Sequence, residues 1–148
     1  MDNKIVRGHT RARLTLQKKI NAVNGEIMKY LPIKPENGEI FSEVYFSKIL
    51  PNSSKKWKFN VRQSQNISVI LGKAAVICIE NFEDIYYYEE FLLDDQNNFA
   101  VLEIPAGIYY GMFTDENGAM IANALKLEYQ SKDNLEVAQN FPLEPTVL

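Results

Sequence analysis

The chain of 148 residues has one histidine, His9, and one cysteine, Cys78. Zinc, iron and copper centres usually draw several ligands from these residue types, and a Ser-His-Asp relay needs a placed imidazole, so most transition-metal and triad chemistry is excluded. A lone cysteine closes no internal disulfide. Long apolar runs are lacking too, none reaching the ~20 residues that span a bilayer. No secretory signal is visible, and the expectation is a soluble protein of the reducing cytoplasm with no membrane partner.

What is present fits one ordinary domain able to bury a core, with 46% hydrophobic and 11% aromatic residues. The net charge of −3 hides an asymmetry, since residues 1–19 hold six Lys or Arg against one acid. No aromatic residue interleaves with Lys4, Arg7, Arg11, Arg13, Lys18 and Lys19, so the arm offers no base-stacking platform and nucleic acid is not the expected partner. Residues 1–23 read as a basic arm or a first strand.

Short β-rich runs separated by turn residues recur along residues 24–130, which predicts an all-β sandwich or barrel. Glu26–Leu31 reads as a strand, stopped by Pro32, Pro35 and Asn37-Gly38, and Glu43–Leu50 as another, ended by Pro51-Asn52-Ser53-Ser54. Next, Trp57, Phe59 and Val61 alternate with Lys58, Asn60 and Arg62, so the two sets lie on opposite faces of one strand. Alternation alone leaves open which set faces the core. Asn66–Leu71, a Gly72-Lys73 turn and the nearly continuous apolar run Ala74–Glu80 predict a hairpin. Ala100–Ile104 and Ile108–Phe113 flank a tight Pro105-Ala106-Gly107 turn, and Asp115-Glu116-Asn117-Gly118 turns into Ala119–Tyr129. Of Tyr86, Tyr87 and Tyr88, consecutive along a strand, at least one is expected near the surface or an interface. Trp57 reads as a packing anchor and Cys78 as a small buried residue. Residues 131–148, with Pro142 and Pro145, read as an irregular tail.

The order of these pieces resembles the cupin-type jelly roll, and within it the branch of dTDP-4-dehydrorhamnose 3,5-epimerase and related dTDP-sugar isomerases. Four landmarks carry the resemblance: Glu43-Val44-Tyr45-Phe46-Ser47 followed by Pro51, which leads into Lys56-Trp57-Lys58-Phe59-Asn60; Gly72; Ile104-Pro105-Ala106-Gly107-Ile108-Tyr109-Tyr110-Gly111, similar to an I-P-x-G-x-x-H-G segment; and the long strand Ala119–Tyr129. The resemblance implies a double-stranded β-helix, a homodimer, and a pocket between the sheets for a sugar attached to a nucleoside diphosphate.

It also implies where a site would lie. The family's base histidine falls at Lys58, a second histidine of related isomerases at Asn60, a basic partner on the next strand near Gln65, the proton-donating tyrosine at Asn123, and the second-motif histidine at Tyr110. Asn60, Gln65 and Asn123 have no titrating proton to exchange. Lys58 and Tyr110 are therefore the candidate acid and base, provided burial lowers the lysine's ordinary pKa of about 10.4. Lys56, with Lys55, stands where the family holds diphosphate with an arginine, and Arg62 continues the face of Lys58 and Asn60 as a basic, hydrogen-bonding wall. No metal and no cofactor is expected, since the metal-binding cupins' histidine places hold Lys58, Asn60 and Tyr110, and a lysine repels a divalent cation.

Three functions follow as expectations: an epimerase-like cupin that binds a sugar nucleotide or similar polar small molecule without the standard chemistry, an active sugar-nucleotide epimerase or ketoisomerase using Lys58 and Tyr110, and a non-catalytic dimeric scaffold.

Overall fold

A computed structural model of the chain describes residues 4–30, 40–128, 130, 134–136 and 140–148. Its strands are β1 (Lys4–Arg7), β2 (Arg13–Leu16), β3 (Lys19–Ala22), β4 (Gly25–Met28), β5 (Glu43–Ile49), β6 (Ser54–Asn60), β7 (Gln65–Phe82), β8 (Ile85–Asp94), β9 (Ala100–Ile104), β10 (Tyr109–Leu125) and β11 (Asn134–Glu136). No helix among the described residues is long and apolar enough to cross a membrane. The turn cluster Pro32 to Gly38, and Tyr129 at the end of the predicted last strand, lie outside the described residues.

Two long strands organise everything else. β7 and β10, of 18 and 17 residues, run antiparallel from Tyr109↔Ile79 to Asn123↔Ile67. Both bend where Asp115–Gly118 face Lys73 alone, and the bend changes their outer neighbours. On one side of it β7 pairs with β8 and β10 with β6; on the other β7 pairs with β9 and β10 with β5. One nine-stranded sheet thus folds back on itself into two facing layers, a double-stranded β-helix. β1 adds to β8 in parallel, β2 to β9, and β11 to β6.

The hairpin predicted at Gly72-Lys73 is corrected: the chain continues as one strand. Gly72 has φ +86° and Gly118 φ +70°, and a Cβ on Gly72 would collide with the Gly118 carbonyl oxygen. These glycines absorb a bend rather than a reversal, a local pattern that reads the same as a turn until the strand across it is known. Asp115–Gly118 likewise bulge within β10 instead of ending it.

Between the layers lies an apolar cluster that includes Ile49, Ile67, Val76, Leu102, Ile108, Met112 and Ile121. A second cluster covers the outside of the β6–β10–β7–β8 layer, with Trp57, Ile77, Tyr86 and Phe113 packed under Phe141. Trp57 meets Phe113 and Phe141 edge-on, with ring centroids 5.9 and 5.5 Å apart, and is the packing anchor its sequence context predicts. The C-terminal segment, predicted to be irregular, supplies both β11 and Phe141.

Candidate functional site: the inner wall of the roll

Directly opposed residues of an antiparallel pair point to the same side. Tyr110 belongs to the inner apolar cluster, so its cross-strand partner Lys58 faces inward as well. The neighbouring pair Phe59 and Tyr109 stacks on the outer side at 4.5 Å between centroids. The alternation is thereby resolved in favour of an inward Lys58 and an outward Trp57 and Phe59.

Simple alternation then fails by one residue. Tyr110 opposes Lys58, but Met112, two positions on, opposes Lys55, three positions back, so β6 bulges at Lys56 and Trp57. The bulge places Lys55 on the inner face beside Lys58. Lys55 Nζ donates across the roll to Ser47 Oγ of β5 at 2.8 Å. Burial, with the Lys55 charge adding to it, lowers the pKa of Lys58, the direction that a base or nucleophile requires.

The facing layer contributes a hydrogen-bonded group. Asn123 Nδ2 donates to Gln65 Oε1 at 2.7 Å and to Tyr45 Oη at 2.8 Å, while Asn123 Oδ1 accepts from the Asn66 amide at 2.9 Å. Gln65 and Asn123 are nearly fully buried, and the Nε2 of Gln65 has no hydrogen-bond partner among the described residues. Polar side chains therefore gather on the inner wall formed by β5, β6 and the adjoining parts of β7 and β10, whereas the β8 and β9 side is largely apolar. Among the described residues no group of three or more His, Cys, Asp or Glu is placed to hold a metal ion.

Of the residues singled out from the sequence, Lys58 and Tyr110 form one cross-strand pair and Gln65 and Asn123 one hydrogen-bonded pair. Three others are engaged elsewhere. Asn60 ends β6, and its Oδ1 accepts from the amides of Arg62 and Gln63 at 3.0 Å each, so it caps the turn out of the strand. Arg62 lies past that turn, donates to the Glu128 carbonyl at 2.7 Å, and lines a separate cleft of about 390 Å³ with Gln63, Ser64 and Lys126. Lys56 lies outside the roll, 3.4 Å from Glu144 and over the Phe113 ring. The inward Tyr45 and Ser47 were missed because Val44 and Phe46 look like the core face of β5, yet these apolar residues are 51% and 63% exposed. The buried Ile49, two and four positions from Ser47 and Tyr45, carried the parity signal.

No protein-family model and no curated protein sequence matches the chain. Solved structures do. A dTDP-sugar isomerase from Desulfovibrio desulfuricans superimposes with a TM-score of 0.79 at 25% identity, over 89% of this chain and 87% of that one. The chain has a cupin fold that resembles the dTDP-sugar epimerases and isomerases. This cupin also superimposes on a 3,5-epimerase from Legionella pneumophila in complex with dTDP-4-keto-L-rhamnose, with a TM-score of 0.73 at 13% identity over 94% and 83% of the two chains. A 3,4-ketoisomerase from Thermoanaerobacterium thermosaccharolyticum in complex with TDP-4-keto-6-deoxyglucose gives 0.68 at 15%, over 88% and 90%.

Proposed function

We propose that this cupin binds a sugar nucleotide, a dTDP-hexose or a compound of closely similar chemistry, inside the roll, as a cytoplasmic homodimer without the histidine chemistry of its structural relatives. The observation that carries the reading is the composition of the inner wall. Two lysines suit a diphosphate, and the amides of Gln65 and Asn123 with the phenol of Tyr45 suit sugar hydroxyls and carbonyls. The unpartnered Gln65 Nε2 adds to this. A buried N–H without an acceptor costs roughly 1–3 kcal/mol, a cost that a ligand oxygen relieves.

A second reading is favoured by the cross-strand pairing of Lys58 with Tyr110 and by the lowered lysine pKa: the pair acts as base and acid in a metal-independent epimerisation or ketoisomerisation next to a ketone. Thermal shift against dTDP, dTDP-glucose and dTDP-4-keto-6-deoxyglucose tests binding. At ligand concentrations about 100-fold above Kd the protein gains about 2.7 kcal/mol. Indifference to all three compounds defeats the reading. NMR detection of solvent deuterium at C3 or C5 of the keto sugar tests turnover, and light scattering of the eluted protein tests the dimer.

A further inference from the structure

The geometry points to a covalent role: we propose that Lys58 Nζ condenses with the carbonyl carbon of a keto or aldehydo sugar to form an imine, with Tyr110 moving the protons. The inference rests on the reading that the roll admits a sugar nucleotide, and it goes further by naming the group on the sugar that reacts.

Three observations carry it. Lys58 faces inward and is half-buried, and among the described residues it makes no hydrogen bond or ion pair. The β6 bulge sets a second lysine, Lys55, on the same face, and a neighbouring cation is one of the known means of activating an amine. Tyr110 is directly across the strand pair, with Cβ atoms about 5 Å apart by the geometry of such pairs, within reach of the carbon that the amine attacks. Among the described residues, titratable groups sharing this row are Cys78 and Glu89, next in register on β7 and β8, with Tyr45 across the roll. Burial lowers the Lys58 pKa, with the Lys55 charge acting in the same direction, and this enlarges the fraction of neutral amine.

The step balances without an oxidant or reductant. The Nζ lone pair forms the C–N bond while the carbonyl oxygen takes the phenol proton of Tyr110, and one ammonium proton returns to the phenolate, leaving a neutral carbinolamine. A second proton from Tyr110 releases the hydroxyl as water as the nitrogen lone pair closes the C=N bond. The products are an iminium, a phenolate and water. The iminium acidifies the adjacent C–H, and the phenolate is placed to take that proton, so exchange next to the former ketone needs no histidine.

Reductive trapping decides the matter. The protein is incubated with sodium cyanoborohydride and either dTDP-4-keto-6-deoxyglucose or dihydroxyacetone, and the adducts are mapped by peptide mass spectrometry. Reduced adduct is expected on Lys58 at about ten times the rate on the exposed Lys48 and Lys56, because burial and the Lys55 charge both enlarge the neutral fraction of the Lys58 amine. Lys58→Arg, checked for folding by its melting curve, abolishes that adduct. Tyr110→Phe slows its formation, and Lys55→Met moves the pH midpoint of trapping upward. Adduct spread evenly over surface lysines, or none at Lys58 while dTDP still stabilises the protein, overturns the imine and leaves the binding reading intact. Trapping of dihydroxyacetone at Lys58 without stabilisation by any dTDP compound upholds the amine chemistry and removes the sugar nucleotide.

Discussion

Asn123 holds Gln65 through a 2.7 Å hydrogen bond from its Nδ2 to the Gln65 Oε1, so two buried amides from β10 and β7 are locked with the Nε2 of Gln65 left unmatched among the described residues. Because Asn123 also donates to Tyr45 and accepts from the Asn66 amide, it ties three strands together. The two amides should respond to substitution very differently.

Asn123→Leu leaves the Asn66 N–H and the Gln65 carbonyl buried without partners. Stranded buried groups cost about 1–3 kcal/mol each, so a loss of about 3 kcal/mol is expected in urea unfolding. Gln65→Leu removes the orphaned donor together with its acceptor, while Asn123 keeps Tyr45. Its stability should stay within about 1 kcal/mol of the parent protein. The same variant should lose the thermal shift given by dTDP-sugars, which separates a ligand-facing amide from a structural one. A Gln65→Leu protein that binds as before would show that Nε2 plays no part.

A second prediction concerns Lys58 and pH. Its pKa is lowered in the folded state by burial and by Lys55, whereas the unfolded chain keeps the ordinary value of about 10.4. Between the two values the unfolded state binds more protons, so this residue's contribution makes stability rise with pH through that window. Below it the cost of a half-buried charge is paid in full. Lys58→Met is therefore expected to be more stable than the parent protein at neutral pH, with the advantage shrinking as pH approaches about 10.4. Parallel melting curves of the two proteins from pH 6 to 10 check it, and an advantage that grows with pH contradicts the sign.

The two-layer roll was legible because its landmarks occur in the right order, whereas Lys58 and Tyr110 were singled out only through the resemblance, and that they face each other across β6 and β10 shows only in the register of those strands. What escaped was non-local. Gly72-Lys73 suits a turn or a bend equally, and only the four residues Asp115–Gly118 across the strand pair decide between them. Lys55 and Lys56 exchanged faces because β6 bulges, a feature that shows only against β10. Asn60 was lost to a turn because its short side chain sits where two free amides need an acceptor. In β5 hydrophobicity pointed the wrong way, with Phe46 outside and Ser47 inside.

The bend itself is open to test. Gly72→Ala places a Cβ against the Gly118 carbonyl at a backbone angle of +86°, and the atoms it meets are backbone rather than the far end of a flexible side chain. A loss of about 2 kcal/mol or more is expected, above the 1–3 kcal/mol scale's lower end for a strained non-glycine residue because a backbone collision is added to the strain. Gly25→Ala, where nothing lies within 4 Å of the new Cβ, serves as the control and should leave the melting midpoint nearly unchanged.

The outer aromatic cluster gives the last prediction an optical readout, since Trp57 is the one tryptophan of the chain and is 5% exposed. Phe141 packs edge-on against it at 5.5 Å and also touches the rings of Tyr86 and Tyr109. Phe141→Ala should cost about 3–5 kcal/mol through lost burial and the cavity left behind, and should shift Trp57 emission to longer wavelength as water reaches the indole. Because Lys58 and Tyr110 point to the opposite side of the same layer, reductive trapping at Lys58 in the folded Phe141→Ala protein should proceed at the parent rate. A trapping rate that falls in step with the emission shift would mean that the C-terminal cover, and not the inner wall alone, holds the lysine in place.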